Sequence, residues 1–230
     1  MFGLTRFWQS TIGKKIVMAV TGIIGILFVI GHMAGNLQMF YPDAPIKMQH
    51  YAQLLRISMP ALYAVRAVLL LSVILHAVSA YQLTMIAKKA RPDAYKVRNP
   101  QVTTLAAKTI RWGGVLLLAF IVFHILHMTL GTVHPQFVHL DPYNNLRIGL
   151  ANPLVAGFYI LAVGFLGLHL YHGAWAVVRT LGVARPSSQP LKRKLSLIIA
   201  IVVALGFMAV PVAAVLGLFP EASVPTVEAN

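Results

Sequence analysis

The chain contains no cysteine. It therefore has no disulfide, no thiolate-bound zinc, no iron–sulfur cluster and no thioether-attached haem. It is also poor in charge: 10% of its 230 residues are charged, against about 25% in an average soluble domain. Acids are scarcest, with 5 Asp and Glu against 19 Lys and Arg, a formal net charge of +14. Apolar residues make up 58% of the chain and the mean hydropathy is +0.76. These figures exclude a disordered, collagen-like or coiled-coil chain and argue against a soluble globular enzyme. A basic excess of this size in a soluble protein would point to nucleic acid. In so apolar a chain it points to basic loops on the cytoplasmic face of a membrane.

A helix needs ~20 apolar residues to cross a bilayer core. Five stretches free of Asp, Glu, Lys and Arg are long enough: 16–34, 67–87, 112–133, 153–178 and 195–220. None alternates with a period of two, which excludes a β-barrel. Backbone polar groups must be satisfied within the segment in lipid, so all five are expected to be helices. Pro211 falls inside the fifth and is expected to kink it. Arg6, Lys14 and Lys15 precede the first run as they would in a signal peptide. That run is too long for one, and Gly35 and Asn36 stand where a small-x-small cleavage site would be, so it is read as a retained span.

Five crossings put the termini on opposite sides. One face collects Arg6, Lys14 and Lys15, then Lys88, Lys89, Arg91, Lys96, Arg98, Lys108 and Arg111, then Arg179, Arg185, Lys192, Arg193 and Lys194. The other has Lys47, Arg56, Arg66 and Arg147, together with the acids Asp43, Asp141, Glu221 and Glu228. The expectation is a cytoplasmic N-terminus and an outer C-terminus. The loops are too short for a core of their own.

Six of the nine histidines fall in these spans: His32, His76, His124, His127, His169 and His172. Ionisable residues in a bilayer are costly and usually functional, although a single histidine can serve as polar glue between helices. Here the distribution is informative. Each of spans one to four has at least one histidine, the fifth has none, and no span has a carboxylate, so an acid–histidine proton relay lacks its acids. Counted from the cytoplasmic end at 1.5 Å per residue, His32 lies ~24 Å deep and His124 ~18 Å, while His76 lies ~16 Å deep and His169 ~14 Å. The four form an outer pair and an inner pair. Two bis-histidine haems stacked in a four-helix bundle would need this pattern. His127 and His172 follow three residues after His124 and His169, on the same helix faces. Spacing alone does not choose within either couple. The partners of a zinc motif are missing. Gly22, Gly25 and Gly31 precede His32, Gly113 and Gly114 precede His124, and Gly164, Gly167 and Gly173 flank His169. They suit either a flat porphyrin or ordinary small-residue helix packing.

At these residues the chain resembles the five-helix, di-haem cytochrome b membrane anchor of succinate:quinone oxidoreductases and quinol:fumarate reductases. The resemblance covers nearly the whole chain. It rests on His32 to Asn36 in span one, on Leu75 to Val78 around His76 in span two, and on Gly114 ten residues before His124, in a run ending Phe123-His124, in span three. In span four it rests on Gly167, His169, His172, Gly173 and Trp175, with Gly182 closing the segment. It implies an all-α integral membrane protein in which helices one to four surround two stacked haems b. It implies the axial ligands His32, His76, His124 and His169, paired His76 with His169 and His32 with His124. Its spacing to the glycines prefers His124 over His127 and His169 over His172. His50, in the first outer loop, fits a position near quinone in some relatives. One departure is Gly167, which stands where some fumarate-reducing relatives have an intramembrane glutamate.

The resemblance further implies that the chain does no dicarboxylate chemistry itself. It would pass electrons between an iron–sulfur subunit, joined to a flavoprotein subunit, and a quinone, read as menaquinone. Arg111 and Arg179 on the inner side, and Arg66 with Tyr63 on the outer, are the candidate partners for haem propionates. The alternatives are a di-haem anchor of another quinone-linked dehydrogenase, or a histidine-dependent transporter. A transporter would be expected to show internal repeats and interrupted helices; no repeat is seen, and five helices do not halve.

Overall fold

Long apolar runs can satisfy their peptide groups in lipid only by coiling. In the computed structural model, which describes residues 2–90, 104–183 and 186–222, each run does so. The helices are α1 (Phe2–Gln9), α2 (Thr11–Asn36), α3 (Ala44–Leu54), α4 (Met59–Lys89), α5 (Leu105–Met128), α6 (Pro142–Gly149), α7 (Pro153–Thr180) and α8 (Gln189–Val215). Tight helical turns follow α2 and precede α8, and no strand occurs among the described residues. Five helices are long and apolar enough to cross a membrane: α2 with its following turn, α4, α5, α7 and α8. The chain is all-helical and fits a multi-pass membrane protein.

Several boundaries differ from those read off hydropathy. The third span stops at Met128, five residues short of 133. Gly131 beyond it takes a left-handed φ of +70°, which turns the chain out of the helix. The fifth runs 189–215 and not 195–220, so Lys192, Arg193 and Lys194 lie in its opening turns. Helix α8 continues through Pro211 and ends before Gly217, at φ +67°. The basic positions Arg91, Lys96, Arg98 and Arg185, and the acid Glu228, lie outside the described residues.

The chain divides into two compact units. The first comprises Met1–Val29, Tyr63–Gly114 and Leu168–Ala200. Here Lys14, counted among the basic residues of one face, is buried. It is 6% exposed, and its ammonium donates to the carbonyls of Trp8 (2.5 Å) and Gln9 (3.1 Å), 5.7 Å from the centre of the Trp8 ring. A cation there satisfies the unpaired carbonyls that end α1. The hydroxyls of Thr21, Thr109 and Ser196 each donate to the carbonyl four residues back, which removes their polarity from the lipid. Leu70, Leu71, Ile74 and Tyr81 of α4 are exposed. Such a face is costly in water and neutral against acyl chains.

The second unit comprises Ile30–Leu62, Val115–Gly167 and Ile201–Asn230. Its core joins the loop helices α3 and α6 to the long ones: Met39, Ala44, Met48, Tyr143, Leu150, Tyr159, Val210, Ala213 and Phe219 are all buried in one cluster. The loops thus contribute to a core that the helices complete. Asp141 caps α6, accepting from the backbone N–H of Asn144 at 3.0 Å and from its side-chain amide at 2.8 Å, with Pro142 in the first turn. The Asn145 side chain clamps the preceding loop, accepting from Val138 N–H (2.9 Å) and donating to Val138 C=O (2.7 Å). Leu140 in that loop holds a left-handed φ of +66°. Tyr143 donates to Pro220 C=O at 2.9 Å, and Arg147 meets Glu221 at 3.5 Å, which ties the segment after α8 to α6. Burial pushes the Tyr143 hydroxyl pKa up, against the opposing effect of the Arg147 charge.

Candidate functional site: two pairs of histidines

In the first unit His76 of α4 and His169 of α7 face each other, with ring centres 6.0 Å apart and planes at 51°. The Thr21 hydroxyl of α2 lies 3.2 Å from His76 Nδ1 and 2.8 Å from the Val17 carbonyl. A hydroxyl has one proton. With that proton on Val17 C=O, the Thr21 oxygen accepts from His76 Nδ1–H, which leaves His76 Nε2 bare. His169 Nδ1 is buried without a hydrogen-bond partner. Gly22 lies beside this pair, and a Cβ there would stand 3.5 Å from His76 Cε1. His172 is half-buried one turn beyond His169.

In the second unit His32 of α2 and His124 of α5 stand with ring centres 5.8 Å apart and planes at 77°. Phe207 of α8 packs 5.7 Å from His32, and Phe120 stacks on His124 at the same distance. The Tyr159 hydroxyl of α7 reaches two rings, His124 Nδ1 at 3.2 Å and His127 Nδ1 at 2.9 Å. His127 is 1% exposed. It stacks on Phe123 at 5.3 Å and packs against His134 at 5.0 Å. His134 is held at both nitrogens: Nδ1 accepts from Gln136 N–H (3.1 Å) and Nε2 donates to Asn145 C=O (2.9 Å).

The structure therefore brings His76 to His169 and His32 to His124. His127 and His172 take no part in those two ring contacts. The other candidates lie elsewhere. Arg66 stands over the Tyr63 ring at 5.8 Å, and both are exposed. Arg111 and Arg179 are exposed on α5 and α7, and His50 is exposed on α3. Thr21, Tyr159, His134 and Asn145 were not singled out from the sequence. Thr21 and Tyr159 carried a signal, being hydroxyls inside apolar runs. His134 and Asn145 sit in a polar loop where nothing marks them.

Do these pairs fit a haem iron? An imidazole nitrogen binds a first-row metal at about 2.0–2.1 Å, so two imidazoles on opposite sides of one ion have ring centres about 6.2–6.4 Å apart. The observed 6.0 Å and 5.8 Å fall within about half an ångström of that. Ordinary aromatic pairs span about 4.5–7 Å, so the spacing permits a metal without requiring one. The Nδ1 partners of His76 and His124 add to the fit, because metal-bound histidines characteristically donate their other ring N–H, whereas His169 Nδ1 has none. Among the described residues no group of three or more His, Cys, Asp or Glu side chains comes together to hold an ion. Pairs of imidazoles suit an ion whose remaining ligands arrive with it, as in a porphyrin. Gly25, Gly114 and Gly173 have no atom within 4 Å of where a Cβ would stand, room that a flat ring could use.

Comparison with known proteins finds no family model, no curated protein and no solved structure that matches this chain.

Proposed function

We propose that the chain is the membrane anchor and electron-transfer subunit of a succinate dehydrogenase or fumarate reductase complex, with two bis-histidine haems b. The observation that carries this reading is the pairing of four membrane-helix imidazoles into two facing couples at 6.0 Å and 5.8 Å. His76 and His169 would hold one haem, and His32 and His124 the other. Bound there, the haems would supply one-electron transfer between an iron–sulfur subunit and a quinone, menaquinone in this reading. The chain's own residues present and orient the imidazoles: Thr21 holds His76, Tyr159 holds His124, and Phe120 and Phe207 wall the second pair. Burial and hydrogen bonds to the ligands are the means by which a protein tunes such a centre. The lack of cysteine supports the same division of labour, since clusters and dicarboxylate chemistry then belong to partner subunits. The complex would sit in the cell membrane with the chain's N-terminus in the cytoplasm.

The test is purification from membranes followed by a pyridine haemochrome assay. The expected ratio is about two haems b per chain, as two ligand pairs require, with a flavoprotein and an iron–sulfur subunit co-purifying. A colourless protein would overturn the haem reading. A haem protein with a different catalytic partner would make the chain the anchor of another quinone-linked enzyme.

A further inference from the structure

Tyr159 has one hydroxyl and touches two histidines. We infer that this hydroxyl sets the tautomer of His124, and that His127 behind it is a positioning residue and not a ligand. The inference rests on the proposed haem reading and assigns the roles within the second pair that the i, i+3 spacing leaves open.

The argument is a count of protons. A phenol hydroxyl donates once and accepts through its oxygen, and a neutral imidazole has one N–H and one bare nitrogen. Both rings present Nδ1 to the same oxygen. The hydroxyl can satisfy both only if the two rings are opposite tautomers. It gives its proton to one Nδ1 and accepts an N–H from the other. The ring contacts indicate which: His124 is the ring that meets His32, with centres 5.8 Å apart. A ring that offers Nε2 to a metal keeps its proton on Nδ1. Tyr159 then accepts from His124 Nδ1–H at 3.2 Å and donates to His127 Nδ1 at 2.9 Å.

His124 then carries its proton on Nδ1 and leaves Nε2 bare, the form that binds a metal. His127 has its Nδ1 occupied as an acceptor and its proton on Nε2, the form that does not. If His127 ligated through Nε2 as well, both rings would donate to the phenol and the Tyr159 proton would lose its acceptor. His127 is also fixed in place from behind. Its ring lies between contacts with Phe123 and His134, and His134 is itself anchored at both nitrogens to Gln136 and Asn145.

An N–H donated to an oxygen makes the ligand more basic. A more basic ligand favours the ferric state, so removing the acceptor should raise the potential of that centre alone. The experiment is a spectroscopic redox titration of the purified complex. The second centre is identified as the couple missing from His32→Ala. Tyr159→Phe should keep two haems and raise that couple by about tenfold in the ferrous-to-ferric ratio at fixed potential, ~59 mV for one electron, with the other couple unmoved. His127→Leu should shift the couple in the same direction. His127→Gln, whose amide oxygen can take the phenol proton, should restore it.

Two haems with both potentials unchanged in Tyr159→Phe would overturn this inference and leave the haem reading standing. So would loss of a haem in His127→Leu where His124→Leu retains both. If Tyr159→Phe does not assemble, equal potentials in His127→Leu and His127→Gln would overturn it. Absence of haem from the unsubstituted complex would overturn the proposed function itself, and this inference with it.

Discussion

His76 and His169 stand ring to ring at 6.0 Å, yet only His76 has its Nδ1 held, by Thr21. The Nδ1 of His169 is buried and unpaired. Thr21 therefore supports one ring of this pair and not the other. In the second pair the corresponding role belongs to Tyr159, on a different helix. The two sites are thus built from different parts, and each can be perturbed alone.

Thr21→Val keeps the shape of the side chain and removes the oxygen that accepts from His76. Loss of such a partner typically weakens metal retention by about 10–100-fold. The expected result is faster release of one haem of the two to an apoprotein acceptor, with the other unaffected. Equal release of both would show that Thr21 does not support the first site.

Single alanine variants should sort the histidines. His76→Ala and His169→Ala should each remove one haem, and the two together should remove no more than either alone. His32→Ala and His124→Ala should do the same for the other haem. His127→Ala and His172→Ala should retain both by haemochrome assay. An additive loss in the His76 and His169 double variant would break the pairing.

Gly149 ends α6 against two rings. A Cβ there would stand 2.6 Å from His134 Nε2 and 3.0 Å from His127 Cε1. His134 is held at both nitrogens and cannot swing aside without losing a hydrogen bond. Gly149→Ala should therefore destabilise by about 1–3 kcal/mol, as overpacking does, despite the better helix propensity of alanine. The measurement is the half-life of the detergent-solubilised protein at raised temperature. A longer half-life than the unsubstituted chain would show that the rings yield freely.

Orientation can be read by labelling, because the chain has no native cysteine to interfere. Lys89→Cys, at the end of α4, should react with a membrane-impermeant maleimide only after cells are opened. His139→Cys, exposed in the loop before α6, should react in intact cells. The reverse pattern would invert the topology expected from the basic loops.

The sequence by itself determined that there are five long apolar helices, though not where the third and fifth end, because hydropathy is local and a lipid environment leaves a long apolar run one way to satisfy its backbone. It also placed each histidine along its helix, since rise per residue in a helix is constant. The depth grouping of His76 with His169 and His32 with His124 coincides with the ring contacts in the structure. Tertiary structure alone decided the rest. Which of His124 and His127 faces His32 depends on helix rotation, which an i, i+3 pair on one face does not encode. Thr21 and Tyr159 acquire their roles because other helices bring an imidazole to each hydroxyl. The burial of Lys14 depends on α1, which turns its last carbonyls toward it. Helices α3 and α6 escaped the hydropathy reading because neither is apolar enough to stand alone, and their buried faces exist only against Tyr159, Val210 and Ala213 of the long helices. What is set by one segment and its solvent is legible in the chain. What needs two segments in register is decided by the fold.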